Sequence, residues 1–210
     1  MIKLLHRGDT TNYPENTKES IISALNNKKY NGFETDIRLT KDNKWIIFHD
    51  KNLKRMCNNE LNVKDCKYKN LPLIKFKDNY YKIPLLNDIV NLNYPLKIFN
   101  IEIKQKYEST SFFSKRKLLK LLKQIKSPLL ISSFKWEWYP WCSKNNINFA
   151  HLFEKNIIPN EGKIWIINYK MLNDLILQKM EEKNIKLGCF TLKNKDQINF
   201  KYDLEIWDNN

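Results

Sequence analysis

The chain has 210 residues, 42% of them hydrophobic, which is enough to build a cored domain and excludes a disordered chain. The formal net charge of +14 allows nucleic acid, an anionic membrane surface or an anionic substrate as partner. The lysines (Lys28, Lys54, Lys75, Lys115, Lys170) are scattered, however, and the heavy use of Lys, Asn and Ile fits compositional drift in an AT-rich coding sequence.

IKLLH (2–6) predicts a short buried strand, followed by the polar loop HRGDTTNYPENT. Asn16 with Glu19 predicts a capping box, and Ile21, Ile22, Ala24 and Leu25 give the helix after it an apolar face. GFETDIR and WIIFHD are the second and third strands. The link between them, LTKDNK, is too short for a helical crossover, so the two are expected to run antiparallel. Residues 51–83 carry charge, Pro72 and little periodicity, and read as an excursion. IPLLNDIVNL is a short helix candidate, LKIFNIEIK (96–104) a strand, SKRKLLKLLKQIK (114–126) an amphipathic helix and PLLISSF (128–134) a strand. NINFAHLF, KIWIINY and IKLGCFT give shorter strands, MLNDLILQKMEEKN (171–184) a helix, and YDLEIW a strand that closes the sheet. Strands alternating with helices, with no GxGxxG, predict the α/β class and a TIM-like (β/α) barrel. The expected organisation is one domain over 1–210, with a small insertion at 51–82 after the third strand.

Four cysteines, Cys57, Cys66, Cys142 and Cys189, form no CxxC pair, so zinc and thioredoxin signatures are absent and free thiols are expected. No apolar stretch approaches the roughly 18–20 residues of a membrane span, and no signal-peptide pattern stands at the start. A soluble, cytoplasmic protein is the expectation.

Side chains alternate along a strand, so Glu34 and Asp36 share one face. A hairpin turn near Lys41–Asn43 brings His49 opposite Thr35, within a residue of both acids. Glu102 and Lys104 repeat the same spacing at the end of an apolar strand, where a carboxylate is costly to bury unless it is paired or binds a metal. His6 and Arg7 follow the first strand. In a barrel all of these collect at the C-terminal mouth. Three carboxylates suit Mg²⁺ or Ca²⁺ rather than zinc. Arg7 and Lys104 suit a phosphate, and two histidines suit an acid–base pair. The set predicts metal-assisted cleavage of a phosphate ester.

HRG (6–8), PENT (14–17), ETD within GFETDIRLTKDN (32–43), FHD (48–50) with Leu53 and Arg55 following, IPLL (83–86) and IEIK (101–104) stand in an order and spacing that resemble the glycerophosphodiester phosphodiesterases, of the phospholipase-C-like barrel superfamily. In the second half ISSF (131–134) is similar to the family's Ser-Phe. LGCFTLKN (187–194) is similar to its Trp-Thr strand with Phe190 in place of Trp, and EIWDNN to its closing Thr-Asp with Trp207 in place of Thr. The resemblance implies a TIM-like barrel and a divalent metal held by Glu34, Asp36 and Glu102. It further implies His6 and His49 as acid and base, and Arg7 and Lys104 at the phosphate. The reaction implied is hydrolysis of a glycerophosphodiester to glycerol 3-phosphate and an alcohol, through a cyclic phosphate.

FKWEWYPWC (134–142) admits a choline-binding cation–π pocket or an interfacial anchor for a lysophospholipid, with ordinary packing preferred. An interfacial anchor implies peripheral membrane contact. His151 reads as structural and Ser132 and Ser133 as strand-end polar groups; Tyr13 in the first loop is a candidate substrate contact that the sequence does not decide. Three alternatives stand beside a glycerophosphodiesterase. One is a phospholipase D-like enzyme acting on lysophospholipids, another a non-catalytic barrel used for binding. The third, a nucleic-acid binder, lacks any recognisable module.

Overall fold

A computed structural model describes residues 1–154, 157–193 and 200–209. Eight parallel strands close into a barrel: β1 (Ile2–His6), β2 (Gly32–Leu39), β6 (Ile98–Ile103), β7 (Leu129–Ser133), β8 (Asn148–Phe153), β9 (Ile164–Asn168), β10 (Lys186–Leu192) and β11 (Leu204–Trp207). The ring closes because β1 pairs in parallel with both β11 and β2. The short β3 (Trp45–Ile47) folds back antiparallel on β2 with Ile37 opposite Ile47, and extending that register places His49 opposite Thr35, as the spacing predicts.

The barrel interior is filled by Leu4, Leu130, Ala150, Leu152, Ile166, Leu204 and Ile206, all buried. Residues of opposite parity, such as Leu5, Phe33, Phe99 and Ile131, pack outward beneath α1 (Lys18–Asn26) and α3 (Phe112–Leu122). Two further helices follow barrel strands, α4 (Tyr139–Lys144) after β7 and α5 (Asp174–Glu182) after β9. Gly32 permits the close approach of β2 to β6, since a Cβ there would lie 2.0 Å from the Ile98 carbonyl oxygen.

The excursion between β3 and β6 carries α2 (Lys54–Cys57) and a hairpin of β4 (Ile74–Phe76) and β5 (Asn79–Tyr81). It has its own apolar centre, where Leu53, Val63, Cys66, Ile74 and Ile83 pack on Ile46 and Phe48. All four cysteines are free thiols.

Four boundaries differ from expectation, one of them that of α5, which covers only Asp174–Glu182 of the expected 171–184 because Asn173 caps it through Ile176 N–H. The first helix is capped by Thr17, whose hydroxyl accepts from Ser20 N–H while the Ser20 hydroxyl accepts from Thr17 N–H. Asn16 does not cap, because its amide is taken up by Asp36 and Thr35. IPLLNDIVNL makes only one 3₁₀ turn, Leu86–Asp88. The Ile46–Leu85 bridge holds the preceding residue extended, and the Asp88 carboxylate accepts from Leu85 N–H. The helix expected at 114–126 begins at Phe112, where Ser111 caps it through Ser114 N–H, and ends at Leu122. Asn194 of LGCFTLKN and Asn210 of EIWDNN lie outside the described residues.

Candidate active site

Register builds the site. His6 lies beside Glu34 across β1–β2, and Asp36 lies beside Glu102 across β2–β6. β6 occupies one edge of β2 over Gly32–Ile37. On the opposite edge β1 ends at Glu34, where β3 arrives from the other direction, its extension marked by Phe48 N–H donating to the Asp36 carbonyl. The two strands meet nearly end to end, which delivers His6 and His49 to the same rim. The turn after β1 is tight. Arg7 (φ 57°) and Gly8 (φ 83°) are both left-handed, and a Cβ on Gly8 would lie 2.6 Å from the Ser20 hydroxyl. A non-glycine residue held so costs on the order of 1–3 kcal/mol. Arg7 N–H in return donates to Glu34 Oε2 at 3.2 Å.

Glu34, Asp36 and Glu102 are buried, and each offers an oxygen within 4.8 Å of the others. Three like charges in one dry place disfavour one another. Burial, then the charges of Asp36 and Glu102, raises the Glu34 carboxyl well above the usual range against the pull of Arg7 and Lys104. Burial pushes Glu102 up to about 7, with Asp36 adding and Lys104 opposing. Burial opposes ionisation of Asp36 too, but Lys104, Arg7, His49 and the Asn16 amide outweigh it and hold Asp36 well below the carboxylate range. Asp36 Oδ2 accepts from Asn16 Nδ2 at 2.8 Å. Its Oδ1 is buried without a hydrogen bond, although the Lys104 ammonium stands 3.2 Å away. A hard, all-oxygen ligand set with one unsatisfied buried acceptor fits Mg²⁺ or Ca²⁺.

Lys104 also bonds Glu102 Oε1 at 2.7 Å. Arg7 Nη1 donates to Glu15 Oε1 at 2.9 Å, while its buried Nε makes no hydrogen bond and only an ion pair with Asp36 Oδ2 at 3.5 Å. Each histidine is clamped at Nδ1. His6 Nδ1 lies 2.6 Å from Asp208 Oδ1, and His49 Nδ1 lies 2.7 Å from Asp50 Oδ1. A carboxylate at Nδ1 selects the tautomer with the proton there, leaving Nε2 as the free acceptor. His6 Nε2 stands 3.8 Å from Glu34 Oε2. Burial lowers the pKa of His49, as do Lys104 and Arg7, while Asp36 and Asp50 raise it; the net shift is downward.

Arg55 ties these parts together. Its Nε donates to Asp50 Oδ2 at 2.7 Å, and its two terminal nitrogens bridge both oxygens of Glu15 at 2.8 and 2.6 Å. The connection therefore runs from Arg7 through Glu15, Arg55 and Asp50 to His49. Arg38 Nε donates to the His49 carbonyl at 2.7 Å.

The site opens into a cleft of about 720 Å³ that His6, Arg7, Glu34, His49, Glu102 and Lys104 all line. Its far wall is apolar, with Phe134, Trp136, Leu152, Ile157, Phe190 and Ile206. A second hollow of about 560 Å³ borders Arg7, Tyr13, Glu15 and Arg55. Tyr13 thus sits beside the site, edge-on to Tyr81.

The aromatic run divides. Phe134 and Trp136 face the cleft, whereas Trp138 is fully buried and donates to the Gln105 carbonyl. Trp141 packs against Trp138. Among the six tryptophans Trp45, Trp138 and Trp165 are buried and the other three partly buried, so this run is mainly packed against the fold. His151 is buried outside the barrel interior among Trp136, Tyr139 and Phe149, with Gly162 against its ring. Ser132 donates to Asn100 and Ser133 to the Ile103 carbonyl.

All seven residues singled out in the sequence come together. Five partners carried no assigned role at the site there: Glu15, Asn16 (read as a helix cap), Asp50, Arg55 and Asp208. Four stood inside or just after the motifs PENT and FHD, and Asp208 in the closing EIWDNN. Their presence was readable; their pairing was not.

The model of the glycerophosphoryl diester phosphodiesterase family matches residues 6–206. A glycerophosphodiester phosphodiesterase of Bacillus altitudinis is 35% identical over 138 residues, 61% of this chain; the chain spans 56% of that relative's length. One from Caldanaerobacter subterraneus is 32% identical over 227 residues, covering 93% of this chain and 87% of the relative. A phosphodiesterase of Oleispira antarctica, solved in complex with the product sn-glycerol 3-phosphate, matches in fold with a TM-score of 0.81. It is 20% identical, over 99% of this chain and 93% of that one.

Proposed function

The chain belongs to the glycerophosphoryl diester phosphodiesterase family and is by that membership a phosphodiesterase; from this we propose that it hydrolyses glycerophosphodiesters to glycerol 3-phosphate and an alcohol with the help of a divalent cation. The observation that carries the reading is the meeting of a buried three-carboxylate cluster with two imidazoles, each fixed at Nδ1 by its own carboxylate. The product carried by the Oleispira antarctica enzyme supports the choice of substrate.

Glu34, Asp36 and Glu102 would hold Mg²⁺ or Ca²⁺, which when bound supplies positive charge to the phosphoryl oxygens. Arg7 and Lys104 bind those oxygens from the protein side; Arg7 Nε, which makes no hydrogen bond, is one donor available for this. His49, whose lowered pKa keeps it neutral near pH 7, takes the proton of the neighbouring glycerol hydroxyl at Nε2. That oxygen attacks phosphorus, and a cyclic phosphate forms as the bond to the alcohol breaks. His6, entering the cycle as the imidazolium with one proton at Nδ1 facing Asp208 and a second at Nε2, gives the Nε2 proton to the departing oxygen. Water then opens the ring with the roles reversed: His6 takes the water proton and His49 returns its own to the glycerol oxygen. Residues 1–210 act as one catalytic unit in this reading, since the excursion supplies Arg55.

The test is glycerol 3-phosphate release from glycerophosphocholine with Mg²⁺ or Ca²⁺ against EDTA. Metal-dependent release that is lost in Glu34→Ala and His49→Ala is the expected result. Undiminished release by either variant would refute the assignment.

The apolar wall favours one second reading, hydrolysis of lysophospholipids at the same site, with the acyl chain along Phe134, Trp136, Ile157 and Phe190. Faster release of the head-group alcohol from lysophosphatidylcholine than from glycerophosphocholine would select it.

A further inference from the structure

The exposed apolar side chains of this molecule are not spread evenly. Phe112 and Phe113, at the start of α3, are 71% and 79% exposed. Because α3 follows β6, its first turn lies at the cleft end of the barrel. That turn is pinned: the Ser114 carbonyl accepts from Trp45 Nε1 at 3.0 Å, and the Ser114 hydroxyl donates to Asn43 in the β2–β3 turn at 3.2 Å. The two phenylalanines are therefore held outward on a fixed support. Ile157, also exposed, stands at the same end of the barrel, in the loop after β8, and lines the cleft.

From Phe113 the exposed face of α3 continues, at helical spacing, through Arg116, Lys117, Lys120 and Lys123, while Ser114, Leu118, Leu121 and Leu122 face inward. Lys44, from the β2–β3 turn, stands beside Lys117. Burial and that neighbouring charge lower the Lys117 pKa against the opposing pull of Asp42, so two ammonium groups crowd one place on this face. A phenylalanine pair followed by a cationic stripe is the pattern of a surface that inserts apolar groups at a headgroup boundary and attracts anionic lipid.

We propose that the α3 flank of the catalytic rim docks on an anionic phospholipid bilayer, with Phe112 and Phe113 entering the interface and Arg116, Lys117 and Lys120 contacting the head groups. Charge complementarity selects this occupant. A second copy would set like charge against like charge. For a nucleic acid, Phe112 and Phe113 lie edge to face at 76° and give no parallel pair for stacking. The docking surface lies outside the seven residues of the site and stands independently of the hydrolytic reading.

The test is co-sedimentation of the whole chain with vesicles of phosphatidylcholine alone and with about 30 mol% phosphatidylglycerol added. The Phe112→Ser/Phe113→Ser and Lys117→Glu/Lys120→Glu variants are run alongside, with glycerophosphocholine hydrolysis as a second readout. Expected are binding to the anionic vesicles only, weakening with salt, a loss of about 10-fold or more in each variant, and unchanged hydrolysis of the soluble substrate. Equal binding to both vesicles, no binding, or full binding by the variants would overturn the proposal. So would a patch-dependent dimer, or tighter retention of single-stranded RNA than of vesicles. Vesicle binding by an inactive protein would leave this proposal standing and sink the hydrolytic one.

Discussion

Asp208 shows what a residue can do without touching the reacting atoms. It stands 202 positions from His6 in the chain, and the pairing of β1 with β11 brings the two to 2.6 Å. A carboxylate at Nδ1 sets the tautomer and the ring plane, so its loss leaves an imidazole that can present the wrong nitrogen. Asp208→Asn should lower turnover about 100-fold with little change in Tm, as measured by steady-state kinetics and thermal denaturation. A variant with full activity would remove Asp208 from the account. Glu34, Asp36, Glu102 and Lys104 were legible in the sequence because a period of two places each pair on one face of its strand. Asp208 was not legible as a partner, because barrel closure is not a local property.

His151 gives a second residue-scale prediction. Burial pulls its pKa down to about 4, so the folded protein holds it neutral while the unfolded chain protonates it near 6.5. Its stability contribution is full above pH 6.5 and is lost as pH falls through 6.5 towards 4. The shift corresponds to about 3 kcal/mol at 1.36 kcal/mol per unit. Denaturant unfolding of His151→Phe should show a flatter dependence between pH 7 and 4 than the parent. Parallel curves would show that the imidazole does not stay neutral in the fold.

At the scale of elements, the excursion is more than decoration. Its charge, its proline and its weak periodicity marked it as irregular in the sequence, and its small apolar centre explains how it holds shape. Its contribution to the site is Arg55, at the start of α2, which joins Glu15 behind Arg7 to Asp50 behind His49. Lysine cannot reproduce a planar fork that serves two carboxylates. Arg55→Ala should cut kcat about 10-fold, and Arg55→Lys should recover only part of that loss, both read from steady-state kinetics. Complete recovery by lysine would mean that charge alone matters at this position. The misplaced cap teaches a related lesson: Asn16 and Thr17 both suit a helix start, and the choice was made by Asp36, which claims the Asn16 amide from 20 residues away. Local chemistry offered two caps, and tertiary structure selected one.

For the whole molecule, α/β alternation made the barrel legible, and the motif order made its mouth legible. The composition left the meaning of the positive charge open. Part of that charge lies along the exposed face of α3, at Arg116, Lys117, Lys120 and Lys123. No helix among the described residues is long and apolar enough to cross a membrane. The central claim is that one buried carboxylate cluster both holds the cation and serves the hydrolysis. The most direct test adds Mg²⁺ or Ca²⁺ to EDTA-stripped protein and follows bound metal and glycerol 3-phosphate release together. The account predicts that both saturate at one ion per chain and that Asp36→Asn abolishes both. Full release with no ion bound, or one ion bound at this site with no hydrolysis of any phosphodiester, would contradict it.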